Sequence, residues 1–226
     1  MSINLALTQP LPKGEAFLAG VVILAGGESS RMGSPKALLT LPTRQTLLDF
    51  HIENAKLLNV PILIADNGKN FANLAQNVVC IADFIPTDTK EIAHSAKKGN
   101  GALTAIAGAM AFLQEKSLAK NAYLLVISCD SLLGANQVFN ALKCDEIADV
   151  SYFQNEKDYP LLGLYRLDLL PLLKTYLDND NRSVMKFLSQ VKSNVITMPD
   201  KWRDLANFNT PEEFNLALAT LSKSNP

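Results

Sequence analysis

The chain has 226 residues, 48% of them hydrophobic, which fits one large domain with a substantial core. Its formal net charge is −1, which excludes the strongly basic surface that a nucleic-acid partner requires. Cys80, Cys129 and Cys144 are an odd set without metal-ligand spacing; this argues against a disulfide framework or a zinc site and for a reducing, cytoplasmic compartment.

Residues 1–19 read as a loose arm before a single domain over 20–226. Two prolines, Lys13 and Glu15 interrupt any apolar core of a signal peptide. The apolar stretch from Phe17 to Gly27 is too short to span a bilayer, so no membrane partner is expected. A first strand is predicted over 20–25. It runs into Leu24-Ala25-Gly26-Gly27-Glu28-Ser29-Ser30-Arg31-Met32-Gly33-Ser34-Pro35-Lys36. Gly26 and Gly27 let the backbone approach a bulky anion, successive amides can form an anion-binding nest, and Arg31 and Lys36 add two cations. No Lys-Ser/Thr follows Gly33, and Gly26-Gly27 does not supply Gly-x-Gly-x-x-Gly, so neither a Walker A loop nor a dinucleotide fingerprint is present. Strand, glycine turn, Arg and Lys together read as a site for nucleotide phosphates.

Further on, helices are predicted over 46–58, 103–117, 135–142, 168–177, 182–190 and 211–222, and strands over 61–65, 78–81, 123–128, 149–153, 161–166 and 194–198. Short apolar runs alternating with helical patterns define an α/β fold. Segment 84–101 is long, polar and punctuated by Pro86, Gly99 and Gly101, and reads as a flexible flap. Thr210, Pro211 and Glu213 form a helix-start signature for the last helix. His51 falls in a helical pattern and His94 in a polar loop, and neither is expected to act directly.

Asp130, in Ser128-Cys129-Asp130-Ser131, arrives at the C-terminal end of the apolar strand from Tyr123 to Ile127. Ligands of open α/β sheets bind at that end of the strands, and Mg²⁺ is held by one or two carboxylates plus phosphate oxygens and water. A carboxylate there, facing a triphosphate, is the expected metal ligand; a helix cap is the competing role. Cys129 reads as a small packing residue rather than a nucleophile.

In order along the chain, these segments resemble the molybdenum cofactor guanylyltransferase (MobA) family. The resemblance runs from about residue 20 to residue 222. It includes Leu24 to Lys36, Gly101-Ala102-Leu103-Thr104-Ala105, Cys129-Asp130-Ser131-Leu132, Tyr159-Pro160, Pro171-Leu172-Leu173, Arg182-Ser183-Val184-Met185 and Asn207-Phe208-Asn209-Thr210-Pro211-Glu212-Glu213. It implies a three-layer α/β/α Rossmann-like nucleotidyltransferase fold with a mostly parallel mixed sheet. It also implies transfer of GMP from GTP to molybdenum-molybdopterin, with release of pyrophosphate. A phosphate monoester is already anionic, so the attack needs no general base, and catalysis reduces to alignment and charge neutralisation.

Under that resemblance Leu24, Ala25, Gly26 and Gly27 present backbone to the nucleotide, and Arg31 and Lys36 hold its phosphates. Asp130 carries Mg²⁺, with Mn²⁺ as a substitute, and Asp83 contacts the nucleotide. Tyr159, Arg182 and Asn209, with Lys186, are acceptor-side candidates. Simpler roles compete: a strand-end cap for Asp83, a helix entry for Asn209, a solvated helix face for Arg182 and Lys186. The expected partners are GTP or CTP, molybdopterin, and molybdoenzymes or their chaperones as recipients of the product, with the protein a monomer or weak homo-oligomer.

Pro35-Lys36 stands where the family more often has Asp-Lys, and Ala102, Ala105 and Leu132 replace family residues. These departures leave two alternatives open. One is CMP transfer to the same cofactor or nucleotidyl transfer to a sugar phosphate. The other is a nucleotide-binding accessory protein without turnover.

Overall fold

The computed structural model describes residues 9–10, 17–27, 31–71, 78–86, 101–116, 121–142 and 148–224. The strands are β1 (Gln9–Pro10), β2 (Phe17–Leu24), β3 (Ile62–Ala65), β4 (Val78–Cys80), β5 (Ala122–Ser128), β6 (Val150–Gln154), β7 (Asp158–Arg166) and β8 (Ser193–Thr197). They form one sheet in the order β4-β3-β2-β5-β7-β6-β8, with β1 pairing antiparallel to β2 off this path. The pairs β3–β4, β2–β3, β2–β5 and β6–β8 are parallel, whereas β7 is antiparallel to both β5 and β6. All of β5 is buried, as a central strand covered on both faces must be.

Helices α1 (Leu47–Lys56), α2 (Ala102–Lys116), α3 (Ala135–Ala141), α4 (Leu170–Asp178), α5 (Val184–Leu188) and α6 (Pro211–Ser224) cover the sheet. One core layer, with Leu48, Ile52, Val138 and Phe214, lies on one face; the other, with Ile106, Met110, Leu173 and Phe187, lies on the opposite face. This is the expected three-layer α/β/α arrangement with a mostly parallel mixed sheet. Thr46 caps α1 through a reciprocal box with Asp49. Ser183 caps α5, which is why that helix starts two residues later than its sequence pattern suggests.

Two expectations shift. The first strand begins at Phe17, because Phe17 and Leu18 pair with Ala122 and Tyr123 of β5, so the domain starts inside the segment assigned to an arm. Residues 1–8 and 11–16 of that arm, and 87–100 of the anticipated flap, lie outside the described residues. In addition β7 starts at Asp158, because a tight turn at Asn155 to Lys157 folds it directly onto β6. Among the described residues, no helix is long and apolar enough to cross a membrane.

Candidate active site

A cleft of about 560 Å³ opens at the C-terminal ends of β2, β3 and β5. Its walls include Leu24, Ala25, Gly26, Gly27, Arg31, Lys36, Asn67, Asp83, Asp130 and Asn209. The sheet register sets this convergence. Leu24 pairs with Ser128, Ala25 N–H donates to Ala65 O at 2.8 Å, and Cys129 N–H donates to Leu24 O at 3.1 Å. The glycine turn and Asp130 therefore leave adjacent parallel strands side by side.

The turn itself is held from both ends. Gly26 packs so closely against Asn67 that a Cβ there would lie 2.9 Å from the Asn67 amide nitrogen. The Asn67 amide and the Lys69 ammonium both donate to Gly26 O, at 3.2 and 3.1 Å. Asp66, buried below, fixes this second loop by accepting the Gly68 and Phe71 N–H groups at 3.0 Å each. Farther along, Met32 is buried in the core and Gly33 takes φ +69°, a left-handed conformation that glycine adopts without strain. Met32 thus anchors a loop that presents Arg31 and Lys36 to the cleft. Residues 28–30 lie outside the described residues.

Lys36 is the hub. Its Nζ donates to Phe208 O at 2.7 Å and to Asn209 Oδ1 at 2.9 Å, and stands 3.9 Å from Asp130 Oδ2. Burial holds the Lys36 ammonium below its usual pKa, against the pull of Asp130. Burial likewise pushes the Asp130 carboxyl up, and the Lys36 cation offsets part of that rise. Each charge is costly here and each relieves the other. Asp130 Oδ2 also accepts from Asn207 Nδ2 at 2.8 Å, and Asp130 O accepts Phe208 N–H at 2.8 Å.

Asn209 is fixed at three points. Its N–H donates to Glu213 Oε2 at 2.5 Å, its Nδ2 donates to Asn207 Oδ1 at 2.9 Å, and its Oδ1 accepts from Lys36. Thr210 caps α6 as expected, accepting Glu213 N–H at 3.3 Å. On the far wall, Thr104 Oγ lies 2.9 Å from Asp83 Oδ2 and 2.6 Å from Gly101 O, and burial raises the Asp83 pKa. Burial pushes the Cys129 thiol well above its ordinary range, in keeping with a packing role.

The structure thus brings Leu24, Ala25, Gly26, Gly27, Arg31, Lys36, Asp83, Asp130 and Asn209 to one cleft. Three acceptor-side candidates, Tyr159, Arg182 and Lys186, are not among the residues that line the cleft. Tyr159 is buried in the core cluster that holds Phe153, so the phenol does not line the cleft. Arg182 folds back on its own helix end, donating to Leu177 O and Asn181 O at 2.8 Å each and pairing with Asp180 at 3.1 Å. Its guanidinium is held by the turn that follows α4, sharing Leu177 O with the Asp180 N–H.

Sequence reasoning missed Lys69, Lys157 and the use of Asn207 as a bridge, all of which depend on contacts across distant loops. It also undervalued His51. Fully buried on α1, His51 lies 3.0 Å from Ser131 O through Nε2 and so braces the loop that carries Asp130.

A cleft at the ends of parallel strands, lined by a glycine turn, two cations and carboxylates, fits a nucleotidyltransferase with a Rossmann-like fold. Residues 21–194 match the MobA-like NTP transferase domain, and the chain belongs to that family. It is 29% identical over 210 residues to a probable molybdenum cofactor guanylyltransferase of Carboxydothermus hydrogenoformans, covering 89% of this chain and 96% of the relative. A protein of the same description from Flavobacterium johnsoniae is 26% identical over 198 residues, with 85% and 93% covered.

Among solved structures, molybdopterin-guanine dinucleotide biosynthesis protein A from Archaeoglobus fulgidus superposes with a TM-score of 0.66 at 19% identity, covering 90% of this chain and 99% of that one. The 2-C-methyl-D-erythritol 4-phosphate cytidylyltransferase of Francisella tularensis shares the fold, with a TM-score of 0.59 at 14% identity over 89% and 98% of the two chains.

Proposed function

We propose that this protein transfers GMP from GTP to molybdenum-loaded molybdopterin, forming a guanine dinucleotide cofactor and releasing pyrophosphate. The observation that carries this reading is the convergence of the glycine turn, Arg31, Lys36 and Asp130 with the Asn207–Asn209 segment on one cleft, in a chain whose relatives are described as molybdenum cofactor guanylyltransferases. A terminal phosphate oxygen of the acceptor attacks the α-phosphorus of GTP. The bond from that phosphorus to the β-phosphate bridging oxygen breaks, and pyrophosphate leaves with the electron pair.

Leu24, Ala25, Gly26 and Gly27 hold the nucleotide along the turn. Arg31 and Lys36 neutralise the phosphates and stabilise the leaving pyrophosphate, acting as charge-assisted donors. Asp83 faces the nucleotide from the opposite wall. Asp130 is the residue that would hold Mg²⁺. The cleft is lined by two carboxylates, Asp83 and Asp130, of which Asp130 stands beside Lys36, and among the described residues no cluster of three or more His, Cys, Asp or Glu exists. That donor set fits an ion that keeps waters and takes its other ligands from the triphosphate. Bound there, Mg²⁺ supplies charge neutralisation between the two phosphate groups.

The test is incubation with Mg²⁺, molybdate-loaded molybdopterin and GTP, CTP or ATP in turn, followed by measurement of pyrophosphate and dinucleotide. Product with GTP is expected. Product with CTP alone would replace the base, and no product with any of the three would refute the transferase reading.

A further inference from the structure

With Arg182 committed to its own helix end and Tyr159 in the core, the acceptor side of the cleft needs another cation. We propose that Lys157 is the residue that receives the acceptor's phosphate. The inference rests on the transfer reading above and adds to it the acceptor-binding group.

Three contacts fix the turn that carries Lys157. Within it, Lys157 N–H donates to Asn155 Oδ1 at 3.2 Å, and Asn155 N–H donates to Lys157 O at 3.0 Å. Outside it, Glu156 forms an ion pair with Arg203 of the helical turn Asp200–Leu205. The Lys157 ammonium, 5.2 Å from the centroid of the Tyr159 ring, then donates to Asn207 Oδ1 at 3.0 Å. Asn207 in turn donates to Asp130 Oδ2 at 2.8 Å. The cation therefore stands one amide away from the carboxylate at the reaction centre.

Among the described residues no carboxylate touches its ammonium, and the acid that feels its charge is Asp130, across Asn207. Glu156 is turned to Arg203, and Asp158 accepts from Gln154 at 2.8 Å. Among the described residues, no carboxylate lies within ion-pair distance of Lys157. An exposed ammonium on a braced turn, stacked on an aromatic ring and with no carboxylate in direct contact, can meet an anion that arrives from solution. Arg31 and Lys36 line the cleft itself, whereas Lys157 stands outside that lining and reaches it through Asn207 and Asp130. Lys157 thus meets a phosphate monoester whose free oxygen must face the α-phosphorus.

The experiment compares the wild type with Lys157→Ala and Lys157→Arg. Molybdopterin binding is measured by equilibrium dialysis, GTP binding by titration, and the steady-state constants for both substrates by pyrophosphate release. Lys157→Ala should weaken molybdopterin binding and raise its KM at least tenfold, with GTP affinity unchanged within a factor of two, and Lys157→Arg should restore most of the loss. Unchanged molybdopterin affinity would overturn the proposal. So would equal weakening of both ligands, or a fall in kcat at constant acceptor KM, the result expected if Lys157 acted only through Asn207 on Asp130. A wild type that binds molybdopterin through Lys157 but forms no product with any nucleotide would instead refute the transfer reading alone.

Discussion

Lys36 Nζ lies 2.9 Å from Asn209 Oδ1 although 173 positions separate the two in the chain. The lysine belongs to the loop that follows the glycine turn, and the asparagine to the entry of the last helix. Their contact ties the phosphate side of the cleft to the segment that also reaches Asp130.

On the proposed reading, Lys36→Ala removes a charge-assisted donor to the phosphates, a group worth roughly 1.5–3 kcal/mol. GTP affinity should fall about tenfold to a hundredfold, while GMP affinity changes less than threefold. Titration of both nucleotides checks this. Equal weakening of the two would mean that Lys36 does not reach the outer phosphates.

Asp130→Asn keeps the shape of the side chain and removes its charge. Turnover with Mg²⁺ should drop at least a hundredfold. Burial already disfavours the Asp130 carboxylate, so the thermal midpoint should not fall. Steady-state assays over a Mg²⁺ series, with calorimetry alongside, separate the two effects. Mg²⁺-dependent turnover that survives in the variant would remove Asp130 from the metal.

The buried His51 has its pKa lowered by burial from 6.5 to about 4. Between those values the unfolded chain takes up a proton that the folded protein refuses. The stabilising contribution is full above pH 6.5 and is lost as pH falls towards 4. From pH 7.5 to 4.5 this group alone should lower unfolding stability by about 2–3 kcal/mol. Urea unfolding at both pH values, compared with His51→Gln, isolates it. Equal acid losses in parent and variant would refute the assignment.

Gly108 lies inside α2, where replacing glycine with alanine ordinarily stabilises by up to ~1 kcal/mol. Here the added Cβ would sit 2.3 Å from Ala82 O. Overpacking of that kind costs about 1–3 kcal/mol, so Gly108→Ala should lower the thermal midpoint by several degrees. Because Ala82 leads directly into Asp83, nucleotide affinity should fall as well. A raised midpoint would show that this loop yields.

Much of this was legible in the chain itself. The continuous apolar run from Tyr123 to Ile127 marks a central strand, and the helical stripe of Leu103, Ile106, Met110 and Leu113 marks α2, because burial imposes those periods. The nucleotide side of the cleft was legible for a related reason: Leu24 to Lys36 is one local run whose backbone and charges act together. The acceptor side was not. Arg182 looks like a free cation in sequence, and only the position of the capped end of α4 shows where its donors go. Lys157 looks like any turn lysine until the hairpin brings it 3.0 Å from Asn207, 50 positions away.

The reversed strand β7 has a further consequence. It divides the sheet into a four-strand parallel block that carries the glycine turn and Asp130 and a three-strand block whose hairpin and following segments carry Lys157, Asn207 and Asn209. The two blocks meet where Lys36 and Asp130 touch Asn207, Phe208 and Asn209. Such a seam lets one half be rewritten while the other keeps its register. A hairpin with a different turn could present a different acceptor to the same nucleotide, making the second substrate an exchangeable part of the architecture.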